Sequence, residues 1–346
     1  MQGLNISAFL AGWCTAFFTL HALRLLRNGG RKSRFHRVLG WIFVVWAVFN
    51  AKDIVLTFPQ LYTQPILNYV LLVDGWSAMT YAVFVSEILM PGWATKRRLL
   101  LHAVPFLLFT VAYLATQSDH VLHAYVVFLW CYAWWVVIWG FLKARQYIRY
   151  IHANYSNIDE IDVSWLGQVF FFAIASQLLW LATSLLGYVW ADILYYIFTV
   201  ALWVIVLHYS HRFHPITIEP AVATAPVARE HDFEEKLRTL VERDSVYLNK
   251  DLTLSDLAVA VGTNRTYLSN YLSQTVGLTF YDYINQLRIQ KKSVPMMQAH
   301  PEYTLEHIAA ESGFKSISTF RRAFVKLMGR SPRDYRQKVL GGAAAT

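Results

Sequence analysis

LTLSDLAVAVGTNRTYLSNYL (residues 252–272) and YTLEHIAAESGFKSISTFRRAF (residues 303–324) are two copies of one pattern. In each, an apolar residue followed by alanine (Leu257-Ala258, Ile308-Ala309) marks a first helix whose small side chain lets another helix approach closely. A glycine follows, Gly262 or Gly313, suited to the left-handed turn that ends a helix. A polar residue, Asn264 or Ser316, then opens a second helix as its cap. Apolar residues at helical period (Leu268 and Leu272; Phe320 and Phe324) turn that helix inward and leave the intervening side chains for another surface.

Helix, glycine turn, helix is the geometry that presents side chains to a DNA major groove. The segment Tyr247–Arg336 resembles the DNA-binding domain of the AraC/XylS family of bacterial transcription regulators. The blocks that carry the resemblance are LTLSDLA (252–258), GTNRTYLS (262–269), GLTFYDYINQLRI (277–289), IAAESGF (308–314), STFRRAF (318–324) and G-x-S-P-x-x-Y-R ending at Arg336. The resemblance implies seven helices in two subdomains joined by a long helix, with both reading helices on one face of DNA. By position it implies DNA contacts from Arg265, Thr266, Ser269 and Asn270 in the first unit, and from Lys315, Ser316, Ile317, Thr319, Arg321 and Arg322 in the second. Arginine suits guanine, asparagine adenine, and Ile317 a thymine methyl, while others touch only phosphate. Leu257, Ile308, Phe314, Phe320 and Phe324 read as core. The joining helix departs from the family pattern: in RIQKKSVPMMQ (288–298), Lys292 takes the usual small position and Pro295 lies in the helix interior. A proline there removes a hydrogen bond and kinks the chain, which bears on the spacing of the two reading heads.

Charge divides this region. Residues 229–287 carry six Lys+Arg against nine Asp+Glu, and residues 288–338 carry eleven against four. The second half therefore supplies most of the attraction for phosphate, with Lys315, Arg321, Arg322, Lys326, Arg330 and Arg333 bracketing its reading helix.

The remainder of the 346-residue chain has a different solvent. The whole is 56% hydrophobic and 15% charged, with a net charge of +9. A soluble domain carries roughly 25% charged residues. A disordered chain is excluded, as is a disulfide framework, since only Cys14 and Cys131 are present. All 13 tryptophans lie between Trp13 and Trp203. Apolar runs near 6–26, 38–59, 66–89, 99–116, 121–142, 163–186 and 191–209 read as seven membrane spans. Arg27, Arg31, Lys32, Arg34 and Arg37, then Lys96, Arg97 and Arg98, then Lys143, Arg145 and Arg149, and finally Arg212 fall in alternate connections. The intervening connections hold no Lys or Arg, which places the N-terminus outside and the chain after span seven in the cytoplasm. Span one lacks a basic n-region and reads as a retained anchor.

Ionisable residues within spans are costly unless partnered. Lys52, Asp53, Asp74, His120, His123 and Asp192 converge on the extracytoplasmic end and form a candidate signal-sensing set. The competing reading is a structural Lys52–Asp74 pair holding helices together, with the histidines in the headgroup zone. Asp119-His120-x-x-His123 and the series His208, His211, His214 have metal-like content but are weak as sites, and Glu87 is placed to pair with Lys96–Arg98. FHPITIEPAVATAPVARE (213–230) has three prolines and no helical period, so it reads as a linker, reaching on the order of 55 Å if extended.

The expected fold is all-α: a seven-helix membrane bundle (1–212) as sensor, the linker (213–230), a double helix-turn-helix domain (231–340, with units near 252–275 and 304–328) and a short tail (341–346). The expected protein is a regulator multi-pass in the bacterial inner membrane. Its partners would be double-stranded promoter DNA, the lipid bilayer, an unidentified small-molecule or envelope signal, a second copy as homodimer, and RNA polymerase if it activates. Neither cofactor nor metal is expected. The chain shows no catalytic constellation and reads as no enzyme. The alternative is a membrane enzyme or transporter with a DNA-binding regulatory tail.

Overall fold

The structure is a computed structural model that describes residues 2–27, 34–55, 58–61, 63–186, 189–218 and 230–343. About 81% of the chain is helical, and the described residues contain no strand. It divides into two compact units: residues 1–146 with 163–217, and residues 147–162 with 218–346. The second unit thus takes in the end of one helix and the turn after it, which the expected boundary had left with the membrane part. Of the expected linker, 219–229 lie outside the described residues, as do the loop cations Arg31 and Lys32.

The first unit contains α1 (Gln2–Arg27), α2 (Arg34–Val55), α3 (Gln64–Gly75), α4 (Ser77–Leu89), α5 (Lys96–Thr116), most of α6 (Asp119–Asn154), α7 (Leu166–Leu186) and α8 (Val189–Ser210). Five stretches among the described residues are long and apolar enough to cross a membrane: Ala8–Arg27, Gln64–Leu89, Lys96–Thr116, Asp119–Asn154 and Ile193–Ser210. The expected second and sixth spans fall outside that set. Helix α2 holds Arg34, Arg37, Lys52 and Asp53, and in α7 the residues whose side chains are described end at Ala182, giving the apolar stretch Leu166–Ala182.

Aromatic packing fills the middle of this unit. Trp203 is fully buried, with Tyr81 stacked on it at 5.8 Å and Phe43, Phe84 and Trp46 around it at 5.2, 5.6 and 5.7 Å. In lipid such close packing, not water exclusion, is what draws helices together. Glu87 is buried and is satisfied at the end of α4. It pairs with Arg34 at 3.0 Å and accepts from the backbone N–H groups of Gly92 and Ala94 at 3.0 and 2.8 Å. The expected pairing of Glu87 with Lys96–Arg98 is therefore replaced by one with the first residue of α2.

The second unit has two cores. Phe233 and Leu237 from α9 (Glu230–Glu242) join Leu257 and Val261 of α10 (Leu254–Val261), Leu268 of α11 (Arg265–Tyr271), and Phe280 and Ile284 of α12 (Phe280–Leu287). The other core gathers Met297 of α13 (Val294–Ala299), Ile308 and Ala309 of α14 (Leu305–Glu311), and Phe320 and Phe324 of α15 (Ile317–Met328), with Tyr335 of α16 (Pro332–Ala343) against it. The stretch from α12 to α13 serves both, with Ile284 in one and Ile289 in the other.

Pro295 does not break that stretch. Residues Arg288–Ser293 form a widened turn, and the Val294 N–H donates to the Ile289 carbonyl five residues back. Residues Arg288, Ser293 and Val294 all keep right-handed helical angles. Pro295 consequently enters in the first turn of α13, where no backbone N–H is required. The expected kink is absorbed by the wider turn before it.

The repeated glycines are not equivalent. Gly262 has φ 79°, and a Cβ there would meet only the flexible Lys236 amine at 3.8 Å. Gly313 has φ 87°, and a Cβ there would lie 2.7 Å from the Leu248 carbonyl oxygen. Gly262→Ala should cost about 1 kcal/mol, the left-handed penalty alone, and Gly313→Ala about 3 kcal/mol because backbone must also move. Pulse proteolysis of the full chain across a urea series checks the order; equal losses would contradict the close approach.

Candidate nucleic-acid interface

The two helix-turn-helix units are built by the same local devices. In the first, Thr253 and Asp256 form a reciprocal capping box: the Thr253 hydroxyl accepts from the Asp256 N–H at 3.2 Å, and the Asp256 carboxylate accepts from the Thr253 N–H at 3.0 Å. Helix α10 ends on Gly262, and the Asn264 side chain accepts from the Tyr267 N–H at 2.8 Å to start α11. In the second, Thr304 accepts from the His307 N–H at 3.1 Å, and Ser316 accepts from the Thr319 N–H at 3.2 Å to start α15. Tyr303, Phe314 and the α15 phenylalanines then close the core.

On α11, Thr266 and Asn270 are exposed, and Arg265 and Ser269 half-buried. On α15, Arg321 and Arg322 are exposed, each at 56%, and Arg321 lies 3.7 Å from Glu306. Lys315 extends to Asp251 at 2.6 Å. Three other expected contacts are placed differently. Ser316 spends its hydroxyl on the cap. Ile317 packs on the second core. Thr319 is fully buried and its hydroxyl bonds to the Asp159 carboxylate. A side chain so enclosed does not face a groove in this state.

Residues that sequence reasoning passed over fill the space beside α15. The turn after α6 brings Tyr155 into an antiparallel bridge with Thr253, and the Ser156 hydroxyl donates to the Leu252 carbonyl at 2.7 Å. Asn157 donates to the carbonyls of Lys250 and Gly313 at 2.5 and 3.2 Å. Arg288 closes the arrangement. Fully buried, it donates to the carbonyls of Tyr247, Asn249 and Ser156 at 2.7, 2.8 and 3.0 Å, and its guanidinium lies 5.5 Å over the Phe314 ring. Burial pulls its pKa down to about 10, opposed by Tyr281, so it stays charged at neutral pH. The available signal was Asp159, Glu160 and Asp162 crowded into four residues between two apolar runs.

In the first unit, Lys52 pairs with Asp53 and, at 2.7 Å, with Asp74, while the Tyr196 hydroxyl donates to Asp53 at 3.0 Å. Asp74 also lines a cavity with Ser77, Ser176, Gln177, Trp180 and Tyr195. His120 and His123 are exposed at the start of α6. Asp192 lies in α8, and its side chain is outside the described residues.

Four capped helices, two turn glycines and two polar-faced second helices define a double helix-turn-helix domain. Residues 257–338 match the family model described as a helix-turn-helix domain. A stretch of 103 residues, 30% of this chain, is 26% identical to an uncharacterized HTH-type transcriptional regulator of Staphylococcus aureus strain COL and covers 14% of that protein. The same coverage and 26% identity hold for such a regulator from Staphylococcus aureus strain N315. Another match, 32% identical over 104 residues, is to the TCP pilus virulence regulatory protein of Vibrio cholerae and covers 36% of it. No solved structure matches the chain.

Arg288→Lys should destabilise the second unit by about 2–4 kcal/mol, because a compact ammonium cannot span three carbonyls on two separate segments as the guanidinium fork does. Proteolytic susceptibility of residues 230–346 in the full chain measures this; wild-type resistance would remove Arg288 from its structural role.

Proposed function

We propose that the chain is a membrane-embedded one-component transcription regulator that binds promoter DNA through its paired helix-turn-helix units. The observation that carries this is the second unit itself, with two capped reading helices beside a basic surface. The similarity to proteins named as HTH-type transcriptional regulators supports it. Five apolar helices of spanning length, and connections that hold Lys and Arg only in alternation, support residence in a membrane with the DNA-binding part on the cytoplasmic face.

Arg265, Thr266, Ser269 and Asn270 on α11 read one groove, and Lys315, Arg321 and Arg322 engage bases and phosphates at the other. The Lys52–Asp53–Asp74 cluster and its cavity are the place for a signal in the first unit. The side chains there hold one another in low dielectric, so a polar ligand would compete for partners already engaged. In this reading two copies occupy the operator, and the DNA-binding part contacts RNA polymerase if the protein activates.

Genome-wide footprinting of the full-length protein in its native membrane tests the reading. Discrete protected promoter sites are expected, lost on Arg265→Ala together with Arg322→Ala; uniform, sequence-independent recovery would sink it. Arg322→Ala alone should weaken binding of a recovered site about tenfold and lower the salt slope by about one. An unchanged slope would take Arg322 off the phosphates.

A further inference from the structure

The second unit contains its own occupant for the second reading helix, and it comes from the turn that follows α6. The Asp159 carboxylate bonds to the Thr319 hydroxyl inside the first turn of α15. Arg322, one turn on, lies 3.7 Å from Asp159 and 3.8 Å from Asp162 and bridges back to Thr319 at 3.2 Å. Asn157 reaches the residues just before α15, donating to the Gly313 carbonyl and lying 3.5 Å from the Lys315 N–H. His152 stacks on Tyr281 at 4.8 Å and steadies the base of the turn. Two carboxylates and an amide thus meet the N-terminal end of a helix and its arginine. DNA phosphates would seek the same groups.

Resting on the DNA-binding reading above, we infer that residues 157–162 are an internal acidic clamp that masks the second reading helix and must leave before that helix can engage DNA. The contact is built to be releasable. Arg322 keeps its carboxylate partners beyond hydrogen-bond distance and remains 56% exposed. The second carboxylate oxygen of Asp159 is buried without a hydrogen-bond partner among the described residues, which is costly for a charged group. A permanent structural bridge would satisfy that oxygen. Ser156 behaves in the opposite way: it is fully engaged with Leu252 and Arg288. Asn157 is bonded to the Lys250 and Gly313 carbonyls, and Ile158 and Ile161 are buried, so the turn is anchored through these groups while its carboxylates hold Arg322 only loosely.

The test compares Asp159→Asn with Glu160→Gln in the full-length chain held in lipid nanodiscs. The probe is a duplex selected by the wild-type chain from a random-sequence pool. Both variants lose one negative charge, but Glu160 is exposed in the same turn and touches none of the α15 groups named above. Asp159→Asn should bind about tenfold more tightly, equivalent to about 1.4 kcal/mol, and Glu160→Gln should change less than twofold. Equal gains would mean bulk charge only, and no gain or a loss for Asp159→Asn would likewise overturn the clamp. A second measurement needs no variant: amide hydrogen exchange of residues 157–162 in the wild-type chain should quicken when the duplex saturates it. Unchanged or slower exchange overturns the inference. If neither wild type nor variants retain any duplex, the DNA-binding reading falls and the clamp with it; if wild type binds and the variants match, the clamp alone falls.

Discussion

The Arg288 guanidinium takes no carboxylate as partner in the hydrogen bonds it makes; it gathers carbonyls from Tyr247, Asn249 and Ser156 and lies over Phe314. Those groups belong to the approach to the first helix-turn-helix, to the turn after α6, and to the second core. A planar fork with five donors can join two backbone segments beneath an aromatic ring where an apolar side chain could only fill space. The Tyr247 and Ser156 residues are buried, so the interaction is as much about satisfying buried acceptors as about attraction. The Ser293 hydroxyl, bonded to the Arg288 carbonyl and to Ser312, extends the same polar seam into the second core.

Much of the fold was legible because local signals agreed with one another. Each repeat carried its cap, its turn glycine and its inward period, and the structure realises all three: Asn264 and Ser316 cap, Gly262 and Gly313 turn at positive φ, and Leu268, Leu272, Phe320 and Phe324 are buried. Helix content in the first unit followed from apolar runs of spanning length. What hydropathy alone could not resolve was how many of those runs stand as uninterrupted spans. Charges at both ends of α2, and the joint at Gly75–Trp76 between α3 and α4, interrupt stretches that a sliding average treats as uniform.

The candidate site was legible only as a set of helix faces. Period and capping say which residues of α11 and α15 point away from their cores, and Thr266, Asn270, Arg321 and Arg322 do. They cannot say what else in the chain approaches those faces. Thr319 illustrates the limit: its place in the repeat suits a groove, yet its partner is Asp159, 160 residues earlier. Long-range pairing of this kind leaves no periodic trace, and its one compositional hint was an acidic turn between apolar runs. The Glu87–Arg34 pair escaped for the same reason, since a nearer basic cluster at Lys96–Arg98 offered an equally plausible partner.

The widened turn at Arg288–Ser293 fixes the phase of the molecule as well as its continuity. A turn closed over five residues holds one residue more than an α-helical turn, and one residue rotates everything after it by about 100°. The azimuth of the second core about the axis of α12 is therefore a discrete quantity set by residue count, not a flexible one set by linker length. Deleting one of the turn's exposed residues, Gln290 or Lys291, would leave the side chains of both cores in place yet point the cores in different directions. Loss of function in such a chain would arise from misalignment between two sound parts.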